Sequence, residues 1–223
     1  DTTDDLLDLA SQVSSVNHGR EMDMLLATGE QMSIALMAMT FKKLGVPAIS
    51  LTGPQAGIIA GGAFGKARID DVKPERVLRE LEEGKIVIVA GFQGIMPNGD
   101  VATLGRGGSD ATAVALAGAM HADMCEIFTD VDGIYSADPR YVKGCRKMKE
   151  ITNTEMLEMA RLGAGVMQPR SVELGMKYHI PIHVRSTFTD EEGTIIREVC
   201  TMEGKNESVR GVAQDAHAAR IAV

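Results

Sequence analysis

The sequence predicts an α/β fold around a mostly parallel sheet, and three observations predict it. Helical patterns alternate with short apolar runs: residues 20–44 precede 48–52, residues 74–83 precede 86–90, residues 109–120 precede 123–129, and residues 169–178 precede 181–185. Ile86-Val-Ile-Val-Ala90 is continuously apolar, which suits a strand buried on both faces, as parallel strands are. Glycine numbers 24 while aromatic residues make up only 4%, a composition suited to tight αβ turns and helices packed with Met, Leu and Ala. A chain of 223 residues is long enough for one large domain of this kind or two small ones.

Composition also excludes. With no Trp and a net charge of −8, the chain lacks the stacking residues and the basic balance of a nucleic-acid binder. Cys125, Cys145 and Cys200 are odd in number and form no CxxC pair, which argues against a disulfide framework or a zinc ribbon and for a reducing, cytoplasmic setting. The five histidines have no ligand spacing, so no metal site is expected. No apolar run approaches the ~18 residues of a membrane span, and no membrane partner is expected. The start, Asp-Thr-Thr-Asp-Asp, has no Met and reads as a helix already under way; these are expected not to be the true first residues.

Leu6, Leu7, Leu9 and Val13 predict a short amphipathic helix ending near residues 17–19. The long helix over 20–44, closed by Gly45 and released by Pro47, carries methionines all round and is expected to be deeply buried. Within it Thr28-Gly-Glu-Gln31 is anomalous: a mid-helix glycine costs roughly 1 kcal/mol relative to Ala, and Glu30 puts a charge among apolar neighbours. Glu30 either faces solvent or belongs to a site. Residues 48–52 read as a strand. Gly61-Gly-Ala-Phe-Gly-Lys66 nearly spells a phosphate loop, but Ala60 and Ala67 stand where glycine and a hydroxyl are required, so it is read as a flexible connection. Pro74 opens the next helix and Gly84 closes it. Gly91-Phe-Gln-Gly94 then lies at the C-terminal end of the strand 86–90, where open α/β sheets bind ligands, and Asn98-Gly99 signals a hairpin.

The chain is organised around Val101-Ala-Thr-Leu-Gly-Arg-Gly-Gly-Ser-Asp110. Three glycines surround Arg106 and lead into Ser109 and Asp110 at the start of a helix, bringing backbone N–H groups, a guanidinium and a carboxylate to one stretch. This is an anion site with an acid beside it, unless it is a plain turn capped by Ser109. After the strand 123–129 comes Asp130-Val-Asp-Gly-Ile-Tyr-Ser-Ala-Asp-Pro-Arg140. A calcium loop fails here because Ile134 and Tyr135 occupy ligand and glycine positions. A dinucleotide fingerprint ending at Asp130 stays open, although Asp110 replaces its third glycine. Thr152 and Glu155 form a capping box for a helix ending at Gly163, Pro169 opens another to about Tyr178, residues 181–185 read as a strand, and residues 209–213 and 220–223 as two short strand-like runs.

With Arg20-Glu21-x-Asp23, Thr28-Gly-Glu30, Thr52-Gly-x-Gln55-Ala56, Gly91-Phe-Gln-Gly94, Thr103-Leu-Gly-Arg-Gly-Gly-Ser-Asp110 and Thr129-Asp-Val-Asp-Gly-Ile-Tyr135 through Asp138-Pro-Arg140, the sequence resembles the aspartate kinases of the amino acid kinase family. The resemblance runs in order from about residue 18 to the end. It implies a three-layer αβα sandwich around a mostly parallel sheet, with residues 1–205 as a catalytic domain incomplete at its N-terminus and 206–223 as the start of an ACT-like regulatory region.

The resemblance further implies transfer of a phosphoryl group from Mg-ATP to the β-carboxylate of L-aspartate, the first step toward lysine, threonine and methionine. Arg106 is then expected to grip the substrate α-carboxylate and Glu30 its ammonium, with Gly107, Gly108 and Ser109 lining the substrate and phosphate. Asp110 orients the catalytic lysine. Thr129, Asp130, Tyr135 and Arg140, with Ser109, fall where the family holds ATP. ATP and Mg2+ are the expected cofactors. The expected assembly is a homo-oligomer or an association with a regulatory ACT-containing chain. The family's opening Lys-Phe-Gly-Gly-Thr-Ser segment is not among these residues, so residues 1–223 alone are expected to catalyse little. Two alternatives stand: a sibling kinase acting on N-acetylglutamate, glutamate or UMP, and a non-catalytic interaction module.

Overall fold

A computed structural model of the chain describes residues 2–15, 18–200 and 211–213. They form two compact units, Asp1–Met120 and His121–Val223.

The first unit begins with α1 (Thr2–Val13) and the long α2 (Arg20–Lys43). Next come β1 (Ala48–Leu51), β2 (Ile58–Gly61), β3 (Arg68–Val72), α3 (Glu75–Glu82), β4 (Ile86–Val89), β5 (Gln93–Ile95), β6 (Val101–Thr103) and α4 (Gly108–Ala119). β1 and β4 pair in parallel from Ala48 opposite Ile86 to Leu51 opposite Val89. A second sheet has the order β3-β2-β5-β6, with β2 and β5 parallel and both edge strands antiparallel. α2 lies against β1, β4 and β6, and α1 crosses α2.

α2 departs from the deeply buried helix its methionines suggest. Only Asp23, Ala27, Ile34 and Ala38 are buried, a stripe at helical spacing made mostly of small residues, whereas Met24, Met32, Met37 and Met39 are exposed. By length and composition the same helix could cross a membrane, at a mean hydropathy of 1.2, contrary to the sequence expectation; here it packs on the sheets through a stripe containing a carboxylate. Gly29 has its reason in the α1 crossing, since a Cβ there would sit 3.3 Å from Thr2 Cγ2. β4 also departs from expectation. Ile86 is exposed and Val87 to Val89 are half-buried, because β1 is its one strand partner among the described residues.

The second unit contains β7 (Cys125–Thr129), β8 (Glu150–Thr152), α5 (Asn153–Arg161), α6 (Pro169–Tyr178), β9 (Ile182–Ser186) and β10 (Thr194–Arg197). Its sheet has the order β7-β9-β10-β8, parallel except between β9 and β10. α5 starts at the expected capping box: Thr152 Oγ1 accepts from Glu155 N at 3.2 Å, and Glu155 Oε2 accepts from Thr152 N at 2.9 Å. Pro169 opens α6 at its first turn. Helices against mixed, mostly parallel sheets make this the expected α/β class. The strand-like run over 220–223 lies outside the described residues. Of the run over 209–213 only 211–213 are described, and there Val212 N donates to Ser136 O at 2.8 Å.

The connection over residues 61–66 is tied down on both sides. Gly65 N donates to Asp23 Oδ2 at 2.9 Å, and Ala67 N donates to Thr103 O at 3.1 Å. Ala60, Ala67, Ala102 and Leu104 form a buried cluster under it, with Phe64, Ile69 and Met96 packed around.

Candidate functional site

The glycine-rich loop takes its shape from backbone conformations that side chains resist. Gly105 and Gly107 have φ of 71° and 68°, and Gly107 in the left-handed region is the N-cap of α4. Gly108 opens the helix where a Cβ would lie 2.9 Å from both Leu104 Cβ and Phe92 Cδ2. Ser109 is therefore inside the first turn, and its side chain does not cap the helix. The N–H groups of Ser109 and Asp110 have no hydrogen-bond partner among the described residues, while Gly108 N donates to Gly105 O at 3.0 Å. Two donors and the positive end of α4 thus face outward together.

Phe92 supports this loop from beneath at a cost. Its φ of 68° is rare for an aromatic residue and is held by two bonds: Phe92 N donates to Thr112 Oγ1 at 3.2 Å, and its carbonyl accepts from Leu104 N at 2.8 Å. Local strain of this kind persists where the surroundings over-determine it, often beside a ligand. Gly91 completes the support, since a Cβ there would press to 3.0 Å from Ser109 Cα.

Three charges mark the site. Arg106 is exposed and has no acidic partner among the described residues. Asp110 is half-buried with no ion pair among the described residues, and burial pushes its carboxyl above the ordinary range. Glu30 lies on the buried stripe of α2, one turn after Ala27 and one before Ile34. Its Oε2 is buried and has no hydrogen-bond partner among the described residues, and burial raises its pKa against a smaller opposing effect of its own backbone. The surface-facing alternative for Glu30 is thereby corrected. Glu30 reaches neither Arg106 nor any other cation among the described residues, so the two charges are both unanswered rather than paired with each other.

In the second unit, Thr129 ends β7 and Asp130 follows it, with Thr129 Oγ1 donating to Asp130 Oδ1 at 3.1 Å. The Tyr135 hydroxyl donates to Asp132 Oδ2 at 3.0 Å, and Lys147 Nζ lies 3.3 Å from the same oxygen. Burial pushes Asp132 up, but these bonds outweigh it and hold the carboxyl below its usual range; burial and the Asp132 bond both raise Tyr135. Arg140 is exposed and paired with Asp138 at 2.7 Å. Thr129 at the end of β7 and Asp130, Tyr135 and Arg140 on the segment after it are thus separate in sequence from the Arg106 loop.

Several residues that shape these loops escaped sequence reasoning. Asp23 is 1% exposed and accepts from Gly65 N, from Thr103 N at 2.6 Å and from Thr103 Oγ1 at 3.0 Å. Thr194, fully buried, accepts from Ile134 N at 2.8 Å and donates to Met148 O at 2.6 Å, pinning the loop that carries Tyr135. Gln93 donates to Ala27 O at 2.9 Å and so fastens α2 beside the site. Asp23 and Gln93 stand in the Arg20-Glu21-x-Asp23 and Gly91-Phe-Gln-Gly94 motifs without an assigned role, and the further local signal was Asp23's place on an otherwise apolar helical stripe.

A glycine-rich loop at a strand–helix junction of a mostly parallel α/β fold agrees with the family match over residues 1–186: the chain belongs to the amino acid kinase family. Within that family it is 55% identical over 222 residues to the aspartokinase of Bacillus sp. strain MGA3 and 50% identical over 225 residues to that of Corynebacterium glutamicum. Each alignment takes in the whole chain but only 54% and 53% of the relative, so the chain spans about half the length of the relatives it matches. Among solved structures, aspartate kinase from Synechocystis is 48% identical with a TM-score of 0.75, over 90% of this chain and 33% of that one. E. coli aspartokinase III in complex with aspartate and ADP is 33% identical with a TM-score of 0.80, over 89% of this chain and 45% of that one. A UMP kinase from Bacillus anthracis, 19% identical with a TM-score of 0.61, shares the fold.

Proposed function

We propose that the chain carries the catalytic region of an aspartate kinase, which transfers the γ-phosphoryl group of ATP to the β-carboxylate of L-aspartate and yields 4-phospho-L-aspartate. The observation that carries this reading is the pair of charges in the first unit left unanswered among the described residues: an Arg106 guanidinium without an acid and a buried Glu30 oxygen without a donor. A free amino acid supplies both partners, its α-carboxylate to Arg106 and its α-ammonium to Glu30. An N-acetylated amino acid or UMP has no cation for Glu30 and would leave a buried acceptor unsatisfied. The aspartate and ADP complex of the E. coli relative supports the same pair of ligands.

On this reading the planar fork of Arg106 holds the α-carboxylate through two bonds, and the N–H groups of Ser109 and Asp110 face anionic oxygens with the α4 dipole behind them. A β-carboxylate oxygen attacks the γ-phosphorus, the bond from that phosphorus to the ADP oxygen breaks, and ADP leaves. The transfer depends on positioned charge, with no covalent enzyme intermediate. Thr129, Asp130, Tyr135 and Arg140, with Ser109, hold the nucleotide, and Asp110 orients the catalytic lysine through its charge. ATP would enter as its Mg2+ complex, the metal supplying charge to the transferring phosphoryl group. The 4-phosphoaspartate product opens the route to lysine, threonine and methionine in the cytoplasm, with residues 1–205 as the catalytic domain and an ACT-like region from 206 serving oligomerisation and feedback.

Calorimetric titration of the full-length protein with L-aspartate tests the substrate assignment. Arg106→Ala and Glu30→Gln are each expected to weaken binding by about 10- to 100-fold, the value of a charge-assisted hydrogen-bond set. Unchanged affinity in both variants would overturn the reading.

A further inference from the structure

We infer that Asp23 is a positioning residue for the substrate-carboxylate grip; this rests on the assignment of the Arg106 loop to the amino-acid substrate. Asp23 lies in the first turns of α2, yet its carboxylate serves two other segments. Oδ2 accepts both Gly65 N and Thr103 N, at 2.9 and 2.6 Å, and Oδ1 accepts Thr103 Oγ1 at 3.0 Å. Those segments enclose the site loop. Thr103 is the last residue of β6, two before Gly105, and Gly65 O stands 3.0 Å from where a Gly105 Cβ would be. One carboxylate thus sets where β6 ends and where the 62–66 turn backs against the loop that presents Arg106 and the N–H groups of Ser109 and Asp110.

The geometry favours a positioning role over a simple strut. Burying a carboxylate is costly unless several donors meet it, and all three donors here belong to the backbone or side chain of residues flanking one loop. Thr103 O is engaged by Ala67 N at 3.1 Å, so the turn and the strand are already joined without Asp23. What Asp23 adds is their common placement relative to α2, the helix that carries Glu30 seven residues further on the same buried stripe. Arg106 and Glu30, the two ends of the amino-acid grip, are thereby referred to one fixed point.

Steady-state kinetics of the full-length protein test this, with aspartate and ATP varied separately. Asp23→Ala is expected to raise the aspartate KM about tenfold or more, since a misplacement near 1 Å costs up to about a hundredfold, and to leave the ATP KM within about twofold. Asp23→Asn is expected to restore the aspartate KM: its oxygen can take both N–H groups while its amide donates to Thr103 Oγ1, whose hydroxyl rotates. If Asp23→Ala does not fold, Thr103→Val removes one of the three bonds alone and is expected to raise the aspartate KM by about threefold to tenfold; no rise overturns the inference. An aspartate KM raised by Arg106→Ala but unmoved by Asp23→Ala, whatever the loss of thermal stability, overturns the positioning role alone. An aspartate KM unmoved by both removes the substrate assignment and this inference with it.

Discussion

Glu30 and Asp110 are carboxyls whose burial works against the stability of the ionised, ligand-free fold. Burial raises both carboxyls, so the folded state resists their ionisation more than the unfolded chain does. Whatever stability the protonated Glu30 contributes is fully present below its ordinary value of 4.5 and is lost as pH rises through its higher folded value. Glu30→Gln should therefore raise the melting temperature of the ligand-free protein near neutral pH, and the gain should vanish in acid. The same variant should bind aspartate less tightly. Thermal unfolding at the two pH values checks the first statement, and a gain of equal size at both would contradict it. At this scale Arg106 was legible because three glycines have no other use for a cation among them, and Glu30 because it breaks an apolar helix. Asp23 was marked as a motif residue and by its place on an apolar helical stripe, but its role was not legible, because its partners are 42 and 80 residues away.

Elements carry the site through close approach. Gly108→Ala should cost about 1–3 kcal/mol by forcing Leu104 and Phe92 aside, and should also raise the aspartate KM, because the strained Phe92 turn and the start of α4 move together. Denaturant unfolding measures the first effect and kinetics the second; an Ala variant of unchanged stability would show that the turn relaxes freely. Thr194→Val should cost about 1–3 kcal/mol by stranding the Ile134 N–H and the Met148 carbonyl, and should raise the ATP KM while sparing that for aspartate. Thr152→Ala, which removes one half of the α5 capping box, should cost about 1 kcal/mol with no kinetic effect.

The helices were legible because their ends are written chemically, in Gly45, Pro74, Gly84, Gly163 and Pro169. Four strands were not. β2 is interrupted by a register shift between Ile59 and Ala60, and β3 reads Arg-Ile-Asp-Asp-Val, too polar and too exposed to look like a strand. β8 is three residues long and runs into the capping box, while β10 follows the acidic run 190–192 and pairs in parallel with β8, more than forty residues earlier in sequence. Such pairings are made by tertiary contact and leave no local period.

For the molecule as a whole, family membership and fold follow from the sequence match and agree with the structure, while activity belongs to a protein about twice the length of this chain in the relatives. The expected substrate-binding residues, Glu30 and Arg106 to Ser109, and the expected catalytic Asp110 belong to the first compact unit, whereas of the residues expected to hold ATP Ser109 belongs to the first and Thr129, Asp130, Tyr135 and Arg140 to the second. Variants of Glu30 and Arg106 should move the aspartate KM, those of Thr129, Asp130, Tyr135 and Arg140 the ATP KM, and those of Ser109 both. The overall α/β class was legible in the alternation of elements, whereas the division after Met120 was not, because residues 121–124 carry no linker composition.

The most direct test of the central claim is ADP release by the full-length protein with Mg-ATP, offered L-aspartate, L-glutamate, N-acetyl-L-glutamate and UMP in parallel, with Arg106→Ala alongside. Turnover with aspartate alone, lost or strongly weakened in the Arg106 variant, is the expected result. Turnover with another acceptor in place of aspartate, or with none of the four, would contradict it.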